Sequence, residues 1–164
     1  MVAHSLPIPE RSSFLIVAYG NSLRGDDGIG QAVAAEVEQW NLPQVEVKSL
    51  HQLTPELAEN LARIEYAIFV DACVLEYSKT VKVEMIQPDG EIAVSLGHAL
   101  NPRVVLALSL ALYGRAPDSW LISVPGANFE LGDCLSPIAT AGVQSALEQI
   151  EHLVNSFRHC LHSS

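Results

Sequence analysis

A chain of 164 residues with 49% hydrophobic and 17% charged side chains suits one globular α/β domain. No apolar run approaches the roughly 20 residues needed to span a bilayer. Nine basic against nineteen acidic residues leave a formal charge of −10 and a pI near 4.9, which excludes phosphate-gripping nucleic-acid binders and disfavours an anionic membrane as partner.

In chain order, MVAHSLPIPERSS is rich in Pro and Ser and is expected to form a flexible leader over 1–12. FLIVAY (Phe14 to Tyr19) reads as a buried strand. A glycine-rich turn, GNSLRGDDGIG (Gly20 to Gly30), then leads into an amphipathic helix from Gly28 to Trp40. VEVKSL (Val45 to Leu50) alternates as a second strand. Thr54 and Pro55 carry the signals of a helix start, and that helix is expected to reach about Arg63. YAIFV (Tyr66 to Val70) is a continuous apolar strand ending at Asp71, and TVKVEMI (Thr80 to Ile86) alternates like an edge strand with one wet face. After a loop from Gln87 to His98, Asn101 and Pro102 open an apolar helix that Gly114 closes. WLISV (Trp120 to Val124) is the last strand, and Ser136 and Pro137 begin a terminal helix running to about His159.

Strands separated by helices predict an α/β fold: a three-layer, mostly parallel but mixed sheet of five strands, flanked by helices. One domain is expected over 1–164, with its body at 13–160 and a loose tail at 161–164. No secretory signal is visible, and Cys73, Cys134 and Cys160 include no CxxC pair. Free thiols in a reducing cytoplasm are the natural reading, with Cys73 as a small buried hydrophobe.

The glycine turn carries the chemistry. Gly20 and Gly25 have phosphate-loop spacing, but Asp26 and Asp27 stand where a lysine and a hydroxyl residue would be needed. Two negative charges repel phosphate and attract a cation. In an open α/β sheet, ligands gather beyond the carboxyl ends of the strands where strand order reverses. If the first and third strands are neighbours there, Asp27 and Asp71 converge from separate loops. Consecutive residues at a helix start point in different directions, so Asp26 is expected to cap or shape the turn while Asp27 acts as ligand. Each aspartate also has a plainer role, as a helix cap or a strand-end hydrogen-bond acceptor.

His98, just before an apolar helix, is the third candidate, and imidazole with carboxylates suits zinc, nickel or iron. His51 ranks below it, while His152, His159 and His162 resemble a solvated face. No GxSxG, HExxH or evident Cys–His pair supplies a standard nucleophile. Asp27 and Asp71 also have the makings of an aspartyl dyad, in which mutual repulsion raises one pKa.

These features together resemble the nickel–iron hydrogenase maturation endopeptidases. GNSLRGDDGIG is similar to the family's GN-x-L-x-x-D-[DE]-x-x-G motif, and FVDA to its second motif. GHALNPRVVLALSLALYGRAP resembles the third, and VPGANFELGDCLSP the late strand, loop and helix entry. The resemblance spans roughly Phe14 to Ile150. It implies a peptidase that removes the C-terminal extension of a hydrogenase large-subunit precursor after nickel insertion. It places the two carboxylates and the histidine that bind nickel on Asp27, Asp71 and His98, with Asp27 a methylene shorter than the Glu common in relatives. Nickel would then arrive with the substrate, with no organic cofactor, and Asp27 and Asp71 are the catalytic candidates, whether as base or through a metal-polarised water. A monomer is expected. A non-proteolytic, nickel-sensing chaperone of the same large subunit would use the same ligands.

Overall fold

The computed structural model describes residues 14–76, 79–90 and 100–161, without the side chains of 159–161. The expected leader at 1–12, the part of the long loop that holds His98, and the last residues of the tail lie outside the described residues. The chain runs through β1 (Phe14–Tyr19), a 3-10 turn (Gly25–Gly28), α1 (Ile29–Gln39), β2 (Val45–Leu50), α2 (Leu57–Ala62) and β3 (Tyr66–Val74). It continues through β4 (Lys82–Ile86), α3 (Pro102–Tyr113), β5 (Asp118–Gly126) and α4 (Pro137–Leu161).

The five strands form one sheet in the order β2-β1-β3-β5-β4. β1 pairs in parallel with β2 and β3, β3 pairs in parallel with β5, and β4 runs antiparallel at the edge beside β5. This is the mixed, mostly parallel sheet expected, with the alternating TVKVEMI segment at the rim.

The period of two along each strand divides the core into two layers. Phe14, Ile16, Ala18, Ile68, Val70, Ile122 and Val124 lie in a cluster with Val33 and Val37 of α1 and Val143, Ala146 and Ile150 of α4. Leu15, Val17, Ala67 and Phe69 form the other cluster with Leu57 and Leu61 of α2 and Val105 and Leu106 of α3. Each fully buried side chain of this size contributes about 1.5–3 kcal/mol relative to exposure. Tyr66, Trp120 and Phe157 stack at the amino edge, where the last turns of α4 close over the sheet.

Local signals hold at several helix ends. The Asn101 side chain accepts from the Val104 amide at 3.0 Å, Pro102 occupies the first turn, and Gly114 takes the left-handed conformation at φ 73° while donating to Leu110 O at 2.9 Å. Several boundaries differ from the sequence expectation; β5, for one, runs from Asp118 to Gly126 rather than from Trp120 to Val124. Thr54 and Pro55 open a turn, and α2 itself starts only at Leu57. β3 runs on to Val74 because residues 71–74 pair with β5 after β1 has ended. Among the described residues, no helix is long and apolar enough to cross a membrane.

α1 packs directly on the backbone of β1. A Cβ at Gly30 would lie 2.8 Å from Tyr19 O and 2.9 Å from Tyr19 N, both main-chain atoms that cannot swing aside. Gly30→Ala gains up to about 1 kcal/mol of helix propensity, yet must push the helix off the strand, an overpacking cost of about 1–3 kcal/mol. Thermal unfolding of Gly30→Ala is expected to show a net loss of stability, and a melting temperature at or above that of the parent would refute this close approach.

Candidate active site

The chain leaves β1 toward β2 and leaves β3 toward β5, so a crevice opens between the carboxyl ends of β1 and β3. Asp27 reaches it from the turn after β1. Asp71 reaches it from β3, one residue past Val70, the last β3 residue paired with β1. The two are close enough for the charge of Asp27 to act on Asp71.

The turn is held by backbone constraints. Gly20 has φ +147°, and a Cβ there would lie 2.1 Å from Asp27 O, so the strand exit requires glycine. The Asn21 amide donates to Asp27 Oδ2 at 2.8 Å, fixing one carboxylate oxygen across the turn. Gln31 Nε2 donates to Gly20 O and, at 3.2 Å, to Leu50 O, tying together the ends of β1 and β2.

Asp26 has a different task from its neighbour. Its carboxylate is fully buried and accepts from the amides of Ala127 at 2.7 Å, Asn128 at 3.0 Å and Ser136 at 2.7 Å, and from Ser136 Oγ at 2.6 Å. The Asp26 amide donates to Asn128 O at 2.8 Å, and Gly25 N to Gly132 O at 2.8 Å. Burial alone would push the Asp26 carboxyl up, but its four donors outweigh that and hold it below the usual range. The shaping role expected for Asp26 is therefore met at long range. It does not cap α1, which has no side-chain cap; it pins the segment from 127 to 136 against the glycine turn.

Asp71 is the perturbed acid. Burial, reinforced by the charge of Asp27, pushes its carboxyl up to about 6, against the opposing pull of hydrogen bonds from the Tyr19 hydroxyl and the Ala72 amide. Burial, then the charge of Asp71 and the hydrogen bond to it, raises the Tyr19 hydroxyl well above its ordinary value. Tyr19 thus remains a protonated donor at every working pH. Sequence reasoning passed over Tyr19. Its parity in FLIVAY matches that of Asp71 in YAIFVD once the two strands are paired, and this is the signal that reveals it.

The remaining candidates fall out as follows. Cys73, expected as a buried hydrophobe, is only half-buried on β3; burial and the charge of Asp71 raise its thiol. His51 is exposed after β2, and His152 is exposed on α4. Among the described residues, no three His, Cys, Asp or Glu side chains gather into a metal cage. His98 lies outside the described residues. The helix that follows it, α3, packs on the same sheet face as Tyr19. Asp71, raised by burial and by the charge of Asp27, is a carboxylate whose ionised form a cation placed beside it would favour.

No protein-family model and no curated protein sequence matches the chain. Solved structures do. The chain is similar to the hydrogenase maturating endopeptidase HybD from E. coli at 25% identity, covering 87% of this chain and 92% of that one, with a TM-score of 0.70. It matches the [NiFe] hydrogenase maturation protease HybD from Thermococcus kodakarensis at 25% identity, covering 85% and 97% of the two chains, with a TM-score of 0.66. An endopeptidase from Escherichia coli matches at 26% identity over 84% and 88%, with a TM-score of 0.63. The fold is that of the hydrogenase maturation endopeptidases over most of the chain, in accord with the resemblance carried by the sequence motifs.

The two buried acids predict opposite effects on stability. Asp26→Ala leaves three amides and a hydroxyl without their acceptor and is expected to cost on the order of 3 kcal/mol. Because the Asp26 carboxyl is depressed in the fold, its stabilisation is present above the ordinary carboxylate value near pH 4 and is lost as pH falls through the lower folded value. Asp71 is raised, so its ionisation penalty is absent below about pH 4 and fully developed above about pH 6. Asp71→Asn is therefore expected to stabilise the neutral-pH fold by on the order of 2 kcal/mol. Denaturant unfolding at pH 7 measures both; a destabilised Asp71→Asn would contradict the assignment of Asp71 as a strained acid.

Proposed function

We propose that the protein is an endopeptidase that removes the C-terminal extension of a nickel–iron hydrogenase large-subunit precursor after nickel has been inserted. The observation that carries this reading is the meeting of Asp27 and Asp71 at the strand switch point, inside the fold of the maturation endopeptidases. Asp27, Asp71 and His98 recognise the nickel that the precursor brings. Asp27 enters from the turn, with its Oδ2 held by the Asn21 amide. Asp71 enters by giving up its proton, because a cation removes the repulsion that keeps its carboxyl high. His98, from the segment before α3, completes the set with a neutral imidazole.

Docking through a substrate-borne ion makes cleavage conditional on loading, because a precursor without nickel offers the two acids nothing to bind. Hydrolysis then requires a water to attack the scissile carbonyl carbon and to lose a proton, which passes to the leaving amine as the C–N bond breaks. Asp27 or Asp71 is the candidate base for that transfer. Nickel held by Asp27, Asp71 and His98 would supply the positive charge that polarises either the scissile carbonyl or the attacking water. The half-buried thiol of Cys73 and the exposed one of Cys134 are both free, which accords with a reducing cytoplasm.

The test is incubation with precursor prepared with and without nickel, followed by mass measurement at its C-terminus. Mass loss is expected only from the nickel-loaded form. Asp71→Asn and His98→Ala are each expected to lower processing by at least about 100-fold while the proteins stay folded. Processing by the parent is expected to fall as pH drops through about 6, where Asp71 holds its proton. Normal trimming by either variant would overturn the site. Nickel-dependent association without any trimming would favour the escorting, non-proteolytic role.

A further inference from the structure

Tyr19 is not accounted for by either the fold or the ligand set. A tyrosine at the carboxyl end of an inner strand needs a partner for its hydroxyl, and here that partner is the carboxylate of Asp71. Its frame is rigid on three sides. The Tyr19 backbone pairs with Leu50 of β2, its main-chain atoms lie under Gly30 of α1, and its ring packs on the core layer that holds α2 and α3. Asp71 has no such frame on the β1 side. It stands past the last β1–β3 pair, with strand support only from Ser123 of β5.

We infer that Tyr19 is a positioning residue for the reaction proposed above: its hydroxyl occupies one oxygen of Asp71 and turns the other toward the shared crevice with Asp27. The inference rests on that proposed reaction, and Tyr19 acts only through Asp71. The Ala72 amide also donates to the Asp71 carboxylate, but from its own strand. With the Tyr19 hydroxyl as a second donor the carboxylate offers one oxygen in one direction, whereas with the amide alone it samples more orientations and binds an ion less often in the productive pose. The aromatic ring fills the same space with or without its oxygen, so Phe separates the hydrogen bond from the packing.

The experiment uses four full-length proteins: the parent, Tyr19→Phe, Asp71→Ala and the double variant. With nickel-loaded precursor, Tyr19→Phe is expected to lower kcat by about 10–100-fold, the usual loss when an outer partner of a ligand is removed, and to leave KM within about twofold. In thermal unfolding, the Phe substitution is expected to shift the melting temperature in the parent background and to leave it unchanged in the Asp71→Ala background, because the oxygen it loses has no carboxylate to hold there. An unchanged kcat for Tyr19→Phe, or an equal melting shift in both backgrounds, would overturn the inference and reduce Tyr19 to packing. If the parent itself leaves the precursor whole, the proposed reaction fails; the melting cycle still decides whether the hydroxyl holds Asp71.

Discussion

The parallel pairing of β1 with β3, in the register that sets Ala18 beside Val70, is the constraint on which the site depends. It joins the two halves of a sheet whose connections leave in opposite directions, and so it creates the crevice. It also brings a tyrosine and two aspartates from distant stretches of sequence to one rim. A slip of one residue would turn Asp71 into the layer of α1 and α4 and take Tyr19 away from it. Because both strands are apolar on both faces, what opposes such a slip is the close packing of each face against its own helices, not the hydrophobic pattern alone.

Within that frame, Asp26 and Asp71 have opposite electrostatic tasks. Asp26 is surrounded by donors and stays ionised as part of the scaffold. Asp71, across the crevice from Asp27, has fewer donors and an anion nearby, and its charge is held at the limit of what the site tolerates. The first arrangement favours a fixed structure. The second holds unfavourable electrostatics in the fold, and a perturbed carboxyl of this kind marks a candidate functional site.

Much of this was legible in the sequence because it depends on short-range rules. The apolar runs FLIVAY, YAIFV and WLISV mark the inner strands, Asn101-Pro102 and Gly114 delimit α3, and the acidic glycine turn lies where the sequence put it, between β1 and α1. What escaped depends on distance along the chain. The partners of Asp26 are backbone amides, which carry no residue signature. The extra length of β3 follows from a pairing with β5 that outlasts its pairing with β1. Tyr19 looks like an ordinary strand-end aromatic until strand order and parity are known. The helix start was blurred because residues 25–28 wind as a tighter 3-10 turn before α1 begins.

The donors that Asp26 gathers lie 101 to 110 positions further along the chain. During synthesis the acidic turn emerges early, and the segment that completes it emerges near the end. Until then, the turn has no scaffold to fix its geometry, and the growing polypeptide presents ordinary flexible aspartates. The geometry of the turn thus comes into being only as the last quarter of the molecule docks, which couples competence to completeness.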